Sequence, residues 1–384
     1  MDPLQGDYIY LDHNATTPLE SEVAEAMAPF MKKEGYGNPS SPYPLGAFAR
    51  ESLEEFRAQV ADLVGCKAEE IIFTSGGSES NNTVLKGVID FRRPRDFHLI
   101  TCATEHPAVL NPCLFLMELG VTVTILPVDQ YGLLDPNEVR RAITSKTVLI
   151  SVMTANNETG TIQPIREIAQ IAREAGVPFH TDAAQAVGKI PVKVDDLGVD
   201  FLSVAGHKFY ASKGIGALYI GQGREVTPLI HGGGQEGGKR SGTENIMLCA
   251  GLGAAARIAR ERLKADMENL KGLRDHLQEL LCDALDGIVL NGHPVQRLPN
   301  TLNISIPGVD GARLLEGIPR LYASTGAACH DRHVKLSHVL SAMGVSPEVG
   351  MGTLRLTLGR GNTIEQIEDA ARMIIHRVRE MERS

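Results

Sequence analysis

Between residues 71 and 220, short β-rich runs alternate with helical patterns, and this alternation limits the fold more than anything else in the chain. The strand-like runs are Ile71 to Thr74, His98 to Thr101, Val121 to Leu126, Thr147 to Met153, Pro178 to Thr181, Phe201 to Val204 and Ala217 to Ile220. Helical patterns such as Ile165 to Ala175 lie between several of them, with apolar residues at 165, 168, 169 and 172 recurring at helical spacing. Nearly continuous apolar strands between helices predict an α/β fold, a mostly parallel sheet covered on both faces. From about Gly253 the character changes. Ala254 to Leu285 reads as one long, highly charged helix, followed by strand-like Thr301 to Ile306 and Leu354 to Leu358 and an amphipathic helix from Ile364 to Met381. A length of 384 residues suits two domains. The expected division is a large domain at 15–255 and a smaller α/β domain formed by 1–14 and 256–384.

Several functional classes are excluded. A formal net charge of −9 offers no positive field for nucleic acid or anionic lipid. No apolar run approaches the roughly 18 residues of a membrane helix. The opening Met1-Asp2-Pro3-Leu4-Gln5-Gly6-Asp7 lacks the basic and apolar regions of a secretory signal, so a cytoplasmic location is expected. Six scattered cysteines form neither a zinc-ribbon nor a CxxC spacing and fit a reducing compartment. No metal site is expected.

Three segments carry candidate chemistry. In Ile71 to Asn82, a strand runs into Ser75-Gly76-Gly77-Ser78 and then opens a helix. Exposed N–H groups and the helix dipole there make a phosphate cradle, or simply a capped glycine turn. Asn157, Asp182 and Lys208 each follow a strand-like run, at the sheet edge where ligands of open α/β folds bind. Separately, Asp182 reads as a helix N-cap and Lys208 as a surface lysine. Together with the cradle they point to pyridoxal 5'-phosphate: a lysine for the Schiff base, an aspartate for the pyridine nitrogen and a grip for the phosphate. Third, Cys329 lies in Ser324-Thr325-Gly326-Ala327-Ala328-Cys329-His330, an open loop of small residues. Its cationic neighbours His330, Arg332, His333 and Lys335 favour a thiolate over an inert thiol.

In this combination the sequence resembles pyridoxal-phosphate enzymes of the NifS/IscS-type cysteine desulfurase and selenocysteine lyase family, which are class V aminotransferase-like. The resemblance runs through Tyr10 to Pro18, Gly37-Asn38-Pro39-Ser40-Ser41, the Gly-Gly-Ser-Glu-Ser cradle, Thr104-Glu105-His106, Ala155 to Gly160 and His180 to Gln185. It continues through Gly206-His207-Lys208-Phe209, Gly232 to Glu236, Arg240 to Asn245, Gly326 to Cys329 and Leu354-Arg355-Leu356. It implies the PLP-dependent transferase fold of aspartate aminotransferase type. It further implies that Lys208 carries the cofactor, His106 stacks on its ring and handles protons, Asp182 pairs with the pyridine nitrogen and Gln185 bonds the ring oxygen. Gly77, Ser78 and His207 would hold the phosphate, with Thr243 supplied by the partner of a homodimer. Arg355 and Asn157 would bind the substrate carboxylate, for which a planar guanidinium is suited. Asn38 and Arg240 are further substrate-side candidates.

The implied reaction converts L-cysteine to L-alanine and leaves a persulfide on Cys329 for a sulfur-acceptor protein. The alternatives are release of selenium from L-selenocysteine and a non-enzymatic sulfur carrier that retains the fold. Three departures from the family pattern bear on this choice. Ala205 stands where many desulfurases carry serine, Pro107 follows His106, and Gly-Ala-Ala-Cys-His is closer to the lyase string. The spacing of Cys329 and Arg355, 26 positions, fits desulfurases with a long loop. The chain ends at Ser384 without the extension that some of them use to dock an iron–sulfur scaffold.

Overall fold

The structure is a computed structural model. It describes residues 8–32, 35–325, 327–330 and 333–383, with backbone alone for 327–330 and 333–335. Seven strands form the main sheet, in the spatial order Ile71–Thr74, Gly216–Ile220, Phe201–Ala205, Phe179–Asp182, Thr147–Ser151, His98–Cys102, Thr122–Leu126. Gly216–Ile220 runs against both its neighbours and the other pairs are parallel. One face packs a core that includes Phe73, Ile100, Ile150, Phe179, Leu202 and Val204; the other packs Ile72, Leu99, Leu149, Phe201 and Leu218. The two-sided burial explains the unbroken apolar runs. Strand order reverses between His98–Cys102 and Thr147–Ser151, which opens a crevice at their C-terminal ends.

A second, antiparallel sheet has the order Ser324–Thr325, Thr353–Thr357, Thr301–Ser305, Val289–Leu290 and its own core, including Leu302, Leu354, Leu356, Ile367 and Ile374. Ile9 and Leu11 join that core, and Ile9–Tyr10 pairs with Leu321–Tyr322. The helix Ile246–Ala284 spans both cores: Cys249 to Ala259 pack in the first and Leu270 to Leu281 in the second. At 39 residues it is about 58 Å long. Ala327–His330 pairs antiparallel with His333–Leu336, placing the Cys329 backbone opposite Val334.

Candidate active site

The strand ends converge on a cavity of about 430 Å³. Strand Ile71–Thr74 leaves the sheet through Ser75 and Gly76, whose φ of 146° strongly favours glycine. Helix Gly77–Gly87 then begins, and the N–H groups of Gly77 and Ser78 have no carbonyl within their own helix to meet. A Cβ on Gly77 would sit 3.3 Å from the Cβ of Ala205, so only a bare backbone fits comfortably there. Glu79 braces the turn by accepting the Ser75 N–H at 2.8 Å.

Lys208 lies just beyond the fully buried strand Phe201–Ala205. Its Nζ donates to the carbonyls of Asn14 and Ala15, both at 2.7 Å. Burial and the charge of Arg355 draw its pKa down to about 8, against the pull of Asp182 and Asp12. The free amine, the nucleophilic form, is thereby within reach at neutral pH. Burial, then Lys208, holds His207 down to about 4, so its ring is neutral and faces Thr16 Oγ1 at 3.2 Å. Tyr210 next to this turn has a left-handed φ of 71°, secured by its N–H donating to Thr17 Oγ1 at 2.7 Å.

Asp182 ends its strand. Its Oδ2 accepts from Asn81 Nδ2 at 2.7 Å, and its Oδ1 caps the following turn at the Ala184 N–H, 2.9 Å. Asp182 thus caps a turn and not the expected helix, while also lining the cavity. His106 caps helix Pro107–Glu118: its Nδ1 accepts the Ala108 N–H at 3.0 Å, which leaves the proton of the neutral ring on Nε2. Desolvation lowers the pKa of this ring against the pull of Asp182, and Lys208 and His338 add to the lowering.

Arg355 comes from the second, antiparallel sheet. Leu354 and Leu356 point into the core of that sheet, so strand alternation turns Arg355 to the opposite face. Its Nη2 donates to Asp12 Oδ1 at 2.7 Å and Ser324 Oγ at 3.0 Å, and its Nη1 donates to the Asn157 carbonyl at 3.4 Å. The buried Nε has no partner among the described residues. Gly77, Ser78, His106, Asn157, Asp182, Gln185, His207, Lys208 and Arg355 all line the one cavity.

Three candidates stand outside it. The Asn38 side chain accepts the Ser40 N–H at 2.9 Å and closes a local turn. Arg240 is paired with Glu79 at 2.9 Å, and Thr243 lines a separate cleft beside Arg240 and Glu236. The side chain of Cys329 lies outside the described residues, as do those of His330, Arg332, His333 and Lys335. No group of three His, Cys, Asp or Glu able to hold a metal occurs among the described residues.

Sequence reasoning missed four supporting residues: Asp12, Asn14, Asn81 and Lys189. Asn14 Nδ2 bonds the Asn157 carbonyl and Thr301 Oγ1, and its carbonyl takes both Lys208 and Gln185. Asn81 could have been found, since it lies one helical turn beyond Gly77 on the face that meets the sheet. The contacts of Asp12 and Asn14 join segments too distant in sequence to carry any spacing signal.

A strand-end lysine and aspartate, a helix N-terminus and an arginine from a second sheet, gathered on one cavity, are the parts of an α/β enzyme that works on amino acids. The family model Aminotransferase class-V matches residues 9–369. The chain is 47% identical to the cysteine desulfurase IscS of Dictyoglomus turgidum, over 97% of this chain and 95% of that protein. Among solved structures, a NifS-like protein superposes with a TM-score of 0.90 at 36% identity, covering 96% of this chain and 98% of that one. A structure described as SspA in complex with cysteine gives 0.81 at 37% identity, covering 91% and 98%. The chain belongs to the class-V aminotransferase family, within its NifS/IscS-type group.

Proposed function

We propose that this protein is a pyridoxal-phosphate-dependent cysteine desulfurase, converting L-cysteine to L-alanine and taking the sulfur onto Cys329 as a persulfide. The observation that carries the reading is the Lys208 amine, held just beyond a strand end by the Asn14 and Ala15 carbonyls in the one cavity that the Asp182 carboxylate and the Arg355 guanidinium also line. The residues fit the cofactor. The open N–H groups of Gly77 and Ser78 suit a phosphate, Asp182 a protonated pyridine nitrogen, the Gln185 amide a ring oxygen and Lys208 an aldehyde. When bound, pyridoxal phosphate supplies an electron sink for the bonds at the substrate Cα.

The chain's own residues do the rest. Arg355 and Asn157 orient the substrate carboxylate, with Asp12 keeping the guanidinium turned toward the cavity. Lys208 is the base that takes and returns the Cα proton, and His106 presents its Nε2–H to the same space. The thiolate of Cys329 attacks the substrate sulfur, the Cβ–S bond breaks, and the sulfur leaves on Cys329 for a sulfur-acceptor protein. Thr243, which lies outside its own cavity, serves the cavity of a partner subunit; the working form is a homodimer. The expected compartment is the reducing cytoplasm.

The test is anaerobic alanine release from L-cysteine and L-selenocysteine by wild type and Cys329→Ala. Turnover of cysteine that the variant loses supports the proposal. Turnover confined to selenocysteine, surviving in the variant, would replace it with a selenocysteine lyase, the reading that Ala205 and the Cys329 string favour.

A further inference from the structure

Beneath the cavity lies a second lysine that the reaction does not use. Lys189 is buried and lines no part of the cavity wall, yet it touches two residues that matter there. Its Nζ donates to Gln185 Oε1 at 2.5 Å and to Asn14 Oδ1 at 3.0 Å. Desolvation, followed by repulsion from Lys208 and Arg355, holds its pKa well below the ordinary lysine value. Burying an amine without a carboxylate partner is costly, so its position calls for an explanation.

Hydrogen-bond chemistry supplies one. An amine, charged or neutral, has at least two hydrogens to give, and the oxygens of two amides accept them. An amide has one acceptor end and one donor end. Gln185 Oε1 receives Lys189, and Asn14 Oδ1 receives both Lys189 and Asn300 Nδ2, the latter at 3.1 Å, so both NH₂ groups must point away from these oxygens. Asn14 Nδ2 accordingly donates to the Asn157 carbonyl and Thr301 Oγ1, bridging the two domains. Gln185 Nε2 turns toward the Asn14 carbonyl, which also receives Lys208. We propose that Lys189 is a positioning residue that fixes the amide of Gln185 as a donor toward the cofactor's ring oxygen and, together with Asn300, holds Asn14 beside Lys208. This rests on the cofactor reading given above. Without Lys189, the Gln185 amide is free to turn its oxygen toward an oxygen of the cofactor, replacing an attraction with a repulsion.

Apoenzyme of wild type, Lys189→Met, Lys189→Gln, Gln185→Met and the double methionine variant is titrated with pyridoxal phosphate, reading affinity and the position of the visible band. Lys189→Met is expected to weaken affinity about tenfold and to move the band, as loss of a charge-assisted contact would. Lys189→Gln keeps an NH₂ donor and restores most of both. Because Lys189 acts through Gln185, the double variant loses little beyond Gln185→Met alone. Wild-type affinity and band in Lys189→Met, or losses that simply add in the double variant, would overturn the assignment. Lys189→Leu, which likewise offers no donor to the amide, repeats the measurement should the methionine variant not fold. A wild-type chain that takes up no cofactor would overturn the functional reading and this assignment together, whereas variants indistinguishable from a cofactor-binding wild type overturn this one alone.

Discussion

The two walls of the cavity are built in different ways. On the wall built by the seven-stranded sheet these groups follow its strands: the cradle after Thr74, His106 after Cys102, Asn157 after Ser151, Lys208 after Ala205, with Asp182 closing its own strand. On the wall built by the four-stranded sheet Arg355 sits inside a strand, aimed by Asp12 and Ser324 from remote parts of the chain. Sheet register sets the first wall, so the backbone fixes where its side chains start. An ion pair sets the second, so aim and charge are separable there.

The largest effect is expected on the first wall. Lys208→Ala should lower alanine formation at least about a thousandfold while leaving the far-UV circular dichroism unchanged. On the second wall, Arg355→Ala should reduce kcat/KM for cysteine by roughly 10- to 100-fold, mostly through KM, as loss of a charge-assisted carboxylate contact would. Asp12→Asn keeps the guanidinium and removes only its aim, so a smaller rise in KM is expected. Equal KM values for Asp12→Asn and wild type in steady-state assays would mean that the strand alone points Arg355, and the contrast between the walls would fail.

This contrast also explains what could be read from the chain in advance. Strands buried on both faces announce themselves as apolar runs, and the turns after them carry their chemistry within a few residues of the strand end. The 39-residue helix begins at Ile246, eight residues earlier than its charge pattern suggests. Gly251 and Gly253 obscure its first turns, yet both are packing residues. A Cβ at 251 would come within 2.8 Å of Met27 Sδ, and one at 253 within 3.0 Å of the Phe56 Cα. Contact with the Phe56 backbone at 253 and with the Met27 side chain at 251 favours glycine there, while helix propensity argues against it. Asp12 with Arg355, and Asn14 with Lys189, are contacts between distant segments, and no periodicity encodes them.

The loop that carries Arg240 and Thr243 belongs to neither wall of its own chain, and a buried ion pair pins it. Glu236, at a left-handed φ of 49°, accepts from Arg57 Nη1 at 2.6 Å and Nη2 at 3.0 Å, and from the Phe73 N–H at 2.9 Å. Both side chains are almost wholly enclosed. Glu236→Gln leaves the buried guanidinium with only the half-exposed Glu54 carboxylate, 3.2 Å from its Nε, as counter-charge, for which about 3 kcal/mol of destabilisation is expected in urea titrations. If Thr243 serves a partner's cavity, cofactor affinity should fall with it. A destabilised variant with unchanged affinity would separate this loop from the phosphate grip and leave the two walls as the whole site.

The smallest expected effect concerns acid. His13, His180 and His207 all have pKa values lowered to about 4 by burial, in three different settings. His180 is sealed in the sheet between Ser151 Oγ at 2.8 Å and Ser203 Oγ at 3.0 Å, whereas His207 borders the cavity. Between pH 6.5 and 4 the unfolded chain binds protons that these rings refuse in the native state, so stability rises with pH across that window and falls as acid is added. Below about pH 4 both states are protonated and the contribution of these groups levels off. Denaturant midpoints of the apoenzyme measured across the window should show this slope, and His180→Asn should flatten it by one proton. His207→Asn should flatten it by a similar step in the apoenzyme, because its depression depends on burial there and on Lys208. If cofactor phosphate binds at His207, the loaded protein should lose the His207 share of the slope while keeping the His180 share, since an anion beside the ring favours its charged form. Identical slopes with and without cofactor would place the phosphate away from His207 and leave the cradle at Gly77 and Ser78 to hold it.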